Sequence, residues 1–154
     1  MGQSTDAYVF YGYCWDDEDA GIEADTDEAV KAILAERGHA DPWDSYPKTD
    51  GRAAGDAWVS ENRAAIDAFR ALKAAVEEEI GVSWDAHCSD SCPIPFLFVN
   101  DTKTTARRGY PKPLASLEVD PAWKGKLDAF LALQGVEPPT GENQPGWWTA
   151  SWWG

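Results

Sequence analysis

The spacing of apolar and polar positions changes several times along the chain, and each spacing predicts an element. "AYVFYGYC", residues 7–14, is aromatic and β-branched with no breaker before Gly12, which predicts a buried first strand. The run "WDDEDAGIEADTDE", residues 15–28, follows as an acidic loop. Asp25 stands where a helix N-cap is needed, with Glu28 three residues on in the capping-box position. "AVKAILAER" then brings Ala29, Val30, Ile33 and Leu34 to one side, and Gly38 closes the helix. Residues 39–56 carry two prolines, two glycines and four aspartates without a period, a loop held to the body by Trp43 and Tyr46. Over residues 57–80, Trp58, Val59, Ile66, Phe69, Leu72, Val76 and Ile80 project within about 140° of one helical face. That is one long amphipathic helix ending at Gly81.

"PFLFVN" and "DTKTTARRG" predict two strands joined around Asn100 and Asp101, with Pro93 and Pro95 marking the entry. The last helix has Asp120 as its cap, Pro121 at its first position, Trp123, Leu127, Phe130 and Leu131 on one face, and Gly135 after its end. "VEPPTGENQPG" leads as a loop into the closing "GWWTASWWG". There is no internal repeat. The pattern predicts a single α+β domain over residues 1–154: a small mixed or antiparallel sheet of three to four strands with about three helices packed on it. Residues 136–154 form a loop and a tryptophan-rich tail docked on the core.

Composition narrows what such a domain can do. A chain of 154 residues with 44% hydrophobic positions and nine tryptophans has the material for one core and is not a long disordered protein. Its net charge of -14 opposes binding to a phosphate backbone or an anionic membrane, because such affinity comes from lysine and arginine displacing counterions. The acid is uneven: residues 1–50 hold thirteen Asp/Glu against three Lys/Arg. No apolar run reaches the roughly 20 residues of a membrane helix, and the first residues lack the pattern of a signal peptide. A cytoplasmic protein is expected, and three cysteines, an odd number, fit a reducing compartment. The sequon at Asn100 is read as a turn.

Three stretches carry candidate chemistry. The first is the tail, where strand alternation sends Trp148 and Trp152 one way and Trp147 and Trp153 the other. The rings either seal the core as an added edge strand or leave one pair as a platform for a sugar, a peptide or a partner protein. The second is "HCSDSC", residues 87–92. His87, Cys88 and Cys92 with the remote Cys14 make a Cys3His set of the kind zinc takes, while buried thiols or a labile Cys88–Cys92 disulfide are the alternatives. His87 is badly placed as a base for the adjacent Cys88, so no catalytic pair is assigned. The third is the run Asp16, Asp17, Glu18 and Asp19: a solvated loop, a protein-binding face or an oxygen-rich cation site. The register of a calcium loop fails, since Asp17 to Glu28 puts Gly21 fifth instead of sixth. Arg107, Arg108 and Lys112 form the one basic cluster, an internal counterpart to these carboxylates.

"YVFYGYCWDDE", "HCSDSCPIPFLFV", "RRGYPK" and the closing "GWWTASWWG" together resemble a family of small proteins of unassigned activity encoded by tailed bacteriophages infecting actinobacteria. The resemblance spans most of the chain and carries over no catalytic residue. It implies a gene product acting in the bacterial host's cytoplasm or carried in a virion. The expected function is a non-enzymatic acidic protein-binding module that modulates a host or phage protein, with a DNA-mimicking acidic face as its specific form. No cofactor is expected in that case. The rivals are a small zinc protein or metallo-hydrolase using the Cys/His cluster, and a minor structural component of the virion.

Overall fold

A computed structural model describes residues 5–15, 25–48, 51–89, 92–114, 116–139, 141 and 144–153. The fold is α+β, and its elements in chain order are β1 (Thr5–Cys14), α1 (Thr26–Glu36), α2 (Gly51–Glu61), α3 (Arg63–Ile80), β2 (Val82–Ser89), β3 (Cys92–Val99), β4 (Thr104–Arg107), α4 (Ala122–Leu133) and β5 (Gly146–Trp153). Short 3-10 turns at Pro42–Ser45 and Asn100–Thr102 complete it. The five strands form one mixed sheet, a strand or two more than the pattern predicts. The chain divides into two compact units, Asp27–Glu79 and the residues on either side of that segment.

In the sheet unit, β1 is the spine. Along one edge it pairs antiparallel with β5 from Thr5 to Gly12. Along the other it pairs with β4 over Asp6–Val9 and then with β3 over Gly12–Cys14. The two stretches expected to be joined strands thus do not face each other; they lie in succession on the same edge of β1. β2, which the pattern leaves unassigned, pairs along its whole length with β3, and through Cys88 and Ser89 it meets Trp152 and Trp153 of β5 in parallel. β3, β2, β5 and β1 therefore close a ring, and the tail is an interior strand of that ring rather than an added edge.

Closing so few strands demands close approach of backbones. At Gly12, where β1 passes from β4 to β3, an added Cβ would stand 1.9 Å from the carbonyl oxygen of Leu97. Only glycine fits there. Inside the ring Phe10, Cys14, Phe96 and Phe98 are buried together, with Tyr8, Trp148 and Ala150 packed on them. Phe10 and Phe96 stack at 4.1 Å between centroids, and full burial of each such ring stabilises by roughly 1.5–3 kcal/mol. On the opposite side of β1, α4 covers β1, β2 and β3 with Leu127, Phe130 and Leu131 buried. Tyr13 donates its hydroxyl to Asp128 at 2.6 Å, and the indole of Trp84 donates to Gln134 at 2.6 Å.

Three of the helix-end signals hold, at Gly38, Gly135 and Asp120. Gly38 and Gly135 both take positive φ, and each sits in a C-terminal motif in which the next residue's N–H reaches back, His39 to Leu34 and Val136 to Leu131. Asp120 caps α4 by accepting from the N–H of Ala122 at 2.8 Å. In the helical unit, the segment expected as a loop over 39–56 carries a 3-10 turn and the start of α2 at Gly51. The single helix expected over 57–80 is divided at Asn62, whose side-chain amide and backbone N–H both donate to the carbonyl of Trp58. Trp43 and Tyr46 do pin their segment, through a three-ring cluster with Trp58 on α2.

Candidate functional site

The tail splits its four rings between two faces, as strand alternation requires. Trp148 sits opposite Phe10, packs on the ring's interior and donates its indole N–H to the carbonyl of Gly12 at 2.9 Å. Trp152 is half-buried and stands opposite Asp6. On the other face Trp153 is 57% exposed. Trp147 meets Tyr11 and Trp123 edge-to-face, with centroids 5.8 and 6.1 Å away. Its indole N–H is shielded from solvent and has no hydrogen-bond partner.

Trp147 and Trp123 also line a groove of about 530 Å³. Five segments of the sheet unit build it: the turn after β3, the start of β4, the irregular stretch that precedes α4, the first turn of α4, and β5. Leu114 and Val119 add apolar wall, yet they remain 49% and 50% exposed. Asp101, Glu118 and Asp120 supply the acid. Every lysine and arginine of the chain lies among the described residues, and none of them makes an ion pair with these three carboxylates. The sequence gives no local signal for the groove, because its two tryptophans are distant in the chain and meet only through β5 and α4.

The thiols do not assemble as expected. Cys14 and His87 come together, with Sγ and Nε2 3.4 Å apart, but Cys88 and Cys92 do not join them. No group of three or more His, Cys, Asp or Glu side chains is placed to hold a metal among the described residues, so the four-ligand set does not form. The three cysteines are thiols, not disulfides. Cys88 instead occupies the left-handed region at φ 82°, a strained position for a residue with a Cβ.

Burial pushes the His87 imidazole below its ordinary value, against the opposing pull of a hydrogen bond to the backbone of Trp15. A neutral imidazole beside Cys14, itself only 9% exposed, favours a thiol–imidazole hydrogen bond over a thiolate–imidazolium nucleophile. Cys14 is buried while His87 is only partly so. Of the expected four-ligand set, the structure thus brings together Cys14 and His87 alone, 73 positions apart.

Lys103 makes a second constellation that the pattern did not reveal. Its ammonium lies 4.7 Å from the ring centre of Tyr8 and 4.9 Å from that of Phe98, and it is paired with Asp85. Burial, then Asp85 and Asp6, raise the Tyr8 phenol above its usual value. This cation is fully committed to its cage. The expected acidic face at Asp16, Asp17, Glu18 and Asp19 lies outside the described residues.

No protein-family model, curated protein or solved structure matches this chain. Among the described residues, no helix is long and apolar enough to cross a membrane.

Proposed function

We propose that this chain is a non-enzymatic, acidic protein-binding module of the kind tailed bacteriophages encode, acting on a host or phage protein in the bacterial cytoplasm. The observation that carries this reading is a groove walled by two tryptophans in which three carboxylates have no cationic partner among the described residues, in a chain of net charge -14. A folded protein leaves such a surface uncompensated at some electrostatic cost, which a basic partner removes. The carboxylates of Asp16, Asp17, Glu18 and Asp19 add long-range attraction, and in the DNA-mimicking form they occupy a basic nucleic-acid groove on the partner. The Cys14–His87 pair gains no third ligand among the described residues, so it does not support the zinc reading.

The test is association kinetics with the partner recovered from the bacterial host and then purified. Reversing Asp16, Asp17 and Asp19 to lysine is expected to slow association by about tenfold or more at low salt, with the difference shrinking as salt rises. Equal capture of every cellular partner by the charge-reversed and native chains would overturn the reading.

A further inference from the structure

We infer that the groove between α4 and β5 is the docking site for an extended peptide segment of the partner protein, one that presents an arginine beside an aliphatic side chain. The inference rests on the protein-binding reading above and names the surface and the chemistry it selects.

Charge complementarity fixes the sign of the occupant. Part of this chain's acid is matched by its own cations, Asp27 with Lys31 and Lys73, Asp85 with Lys103, Asp128 with Lys124 and Glu79 with Arg37, while carboxylates such as Glu77 and Glu78 make no ion pair among the described residues. Along the groove Asp101, Glu118 and Asp120 have no such partner among the described residues. Asp120 commits one oxygen to the cap of α4, and the carboxylate charge remains. A phosphate-bearing ligand is repelled from this surface.

The arrangement of the same groups fixes the shape of the occupant. The three carboxylates do not converge on a point that a metal ion could occupy; they are distributed along a groove, which suits an extended cationic chain. The Trp123 and Trp147 planes stand at 81° to each other, and both residues line the groove. A guanidinium stacks on an indole face while hydrogen-bonding a carboxylate in its plane, which an ammonium cannot do in the same geometry. Leu114 and Val119, each about half exposed, provide the apolar contact for the neighbouring aliphatic side chain. A volume of about 530 Å³ is within the range of sites that take a few side chains.

The experiment is a titration of the intact chain with the peptide acetyl-Leu-Arg-Leu-Arg-amide and with its citrulline counterpart, which keeps the shape and removes the charge. It is read by calorimetry and by the indole N–H resonances, with those of Trp123 and Trp147 assigned through Trp→Phe variants. The expected result is saturable movement of the Trp123 and Trp147 resonances, with the citrulline peptide binding at least ~10-fold more weakly. A combined Asp101→Asn, Glu118→Gln variant, folded with an unchanged indole spectrum elsewhere, is expected to lose a similar factor. If that variant binds the arginine peptide as tightly as the native chain while Asp16→Asn, Asp17→Asn, Asp19→Asn does not, the groove inference fails and the acidic protein-binding reading survives. If neither variant changes binding and the citrulline peptide binds equally well, both fail.

Discussion

Tyr11 donates its backbone N–H to the hydroxyl of Thr102, 2.9 Å away and 91 positions along the chain. At this point β1 passes from one neighbour to the next, and its ladder of backbone hydrogen bonds would otherwise be interrupted. The Thr102 hydroxyl in turn donates to the carbonyl of Val99 at 2.6 Å, so one buried side chain closes the gap between β3 and β4. Thr102→Val keeps the shape and leaves a buried N–H without an acceptor, which is expected to cost about 1–3 kcal/mol. Thr102→Ser keeps the hydroxyl and is expected to cost less than about 1 kcal/mol. Urea unfolding of the two variants, compared with the native chain, checks the order.

Gly12→Ala places a methyl group against backbone atoms of Leu97 and Phe98, which cannot rotate aside as a side chain would. Destabilisation of at least ~3 kcal/mol is expected, at the upper end of overpacking effects. A thermal midpoint lowered by only a degree or two would show that β1 and β3 part easily there.

Two Trp→Phe substitutions one residue apart are expected to differ. Trp148→Phe removes the hydrogen bond to Gly12 as well as ring area. Trp147→Phe removes a buried donor that has no partner, and the relief offsets much of the lost area. The first is expected to cost about 2 kcal/mol more than the second, measurable by denaturant midpoints at constant m-value.

Deleting residues 146–153 removes an interior strand, so the expected outcome is loss of the sheet's far-ultraviolet signature rather than a folded chain lacking one surface. A deletion product with native near-ultraviolet dichroism would contradict the placement of β5 between β1 and β2.

The His87 imidazole has its folded value lowered by burial, so the unfolded chain takes up the proton first as pH falls. Its contribution to stability is therefore complete above about 6.5, its ordinary value, and is lost as pH drops toward the lower folded value. His87→Gln is expected to flatten that part of the stability–pH curve. An unchanged slope between pH 7 and 5 would assign the acid sensitivity to other groups. Asp128 adds loss at still lower pH: burial works to raise it, but hydrogen bonds from Lys124 and Tyr13 outweigh that and hold it below its ordinary value.

What could be read from the sequence was local. The aromatic run of β1, the glycine closing α1 at Gly38 and the Asp120–Pro121 start of α4 are set by neighbouring residues, and the structure keeps them. β2 carries no strand signal because Ser83, Asp85 and His87 share the face of Phe98, Phe96 and Ile94 across the β2–β3 register, so its inner positions are polar. The start of α2 was hidden by Gly51 and Gly55, the second of which makes room for the Tyr46 ring. The groove and the Cys14–His87 contact depend on pairings between distant segments, and nothing in the local pattern brings Trp147 to Trp123 or His87 to Cys14.

The register that sets Thr5 against Trp153 and Gly12 against Gly146 also governs the order of events during synthesis. β1 leaves the ribosome well before its long partner β5. Until residues 146–153 emerge, Tyr8, Phe10 and Tyr11 belong to a strand with an open edge, the state most exposed to mispairing. With so many contacts between segments far apart in the chain, the sheet unit is expected to fold slowly and only once β5 has emerged, whereas the contiguous helical segment Asp27–Glu79 has no such wait.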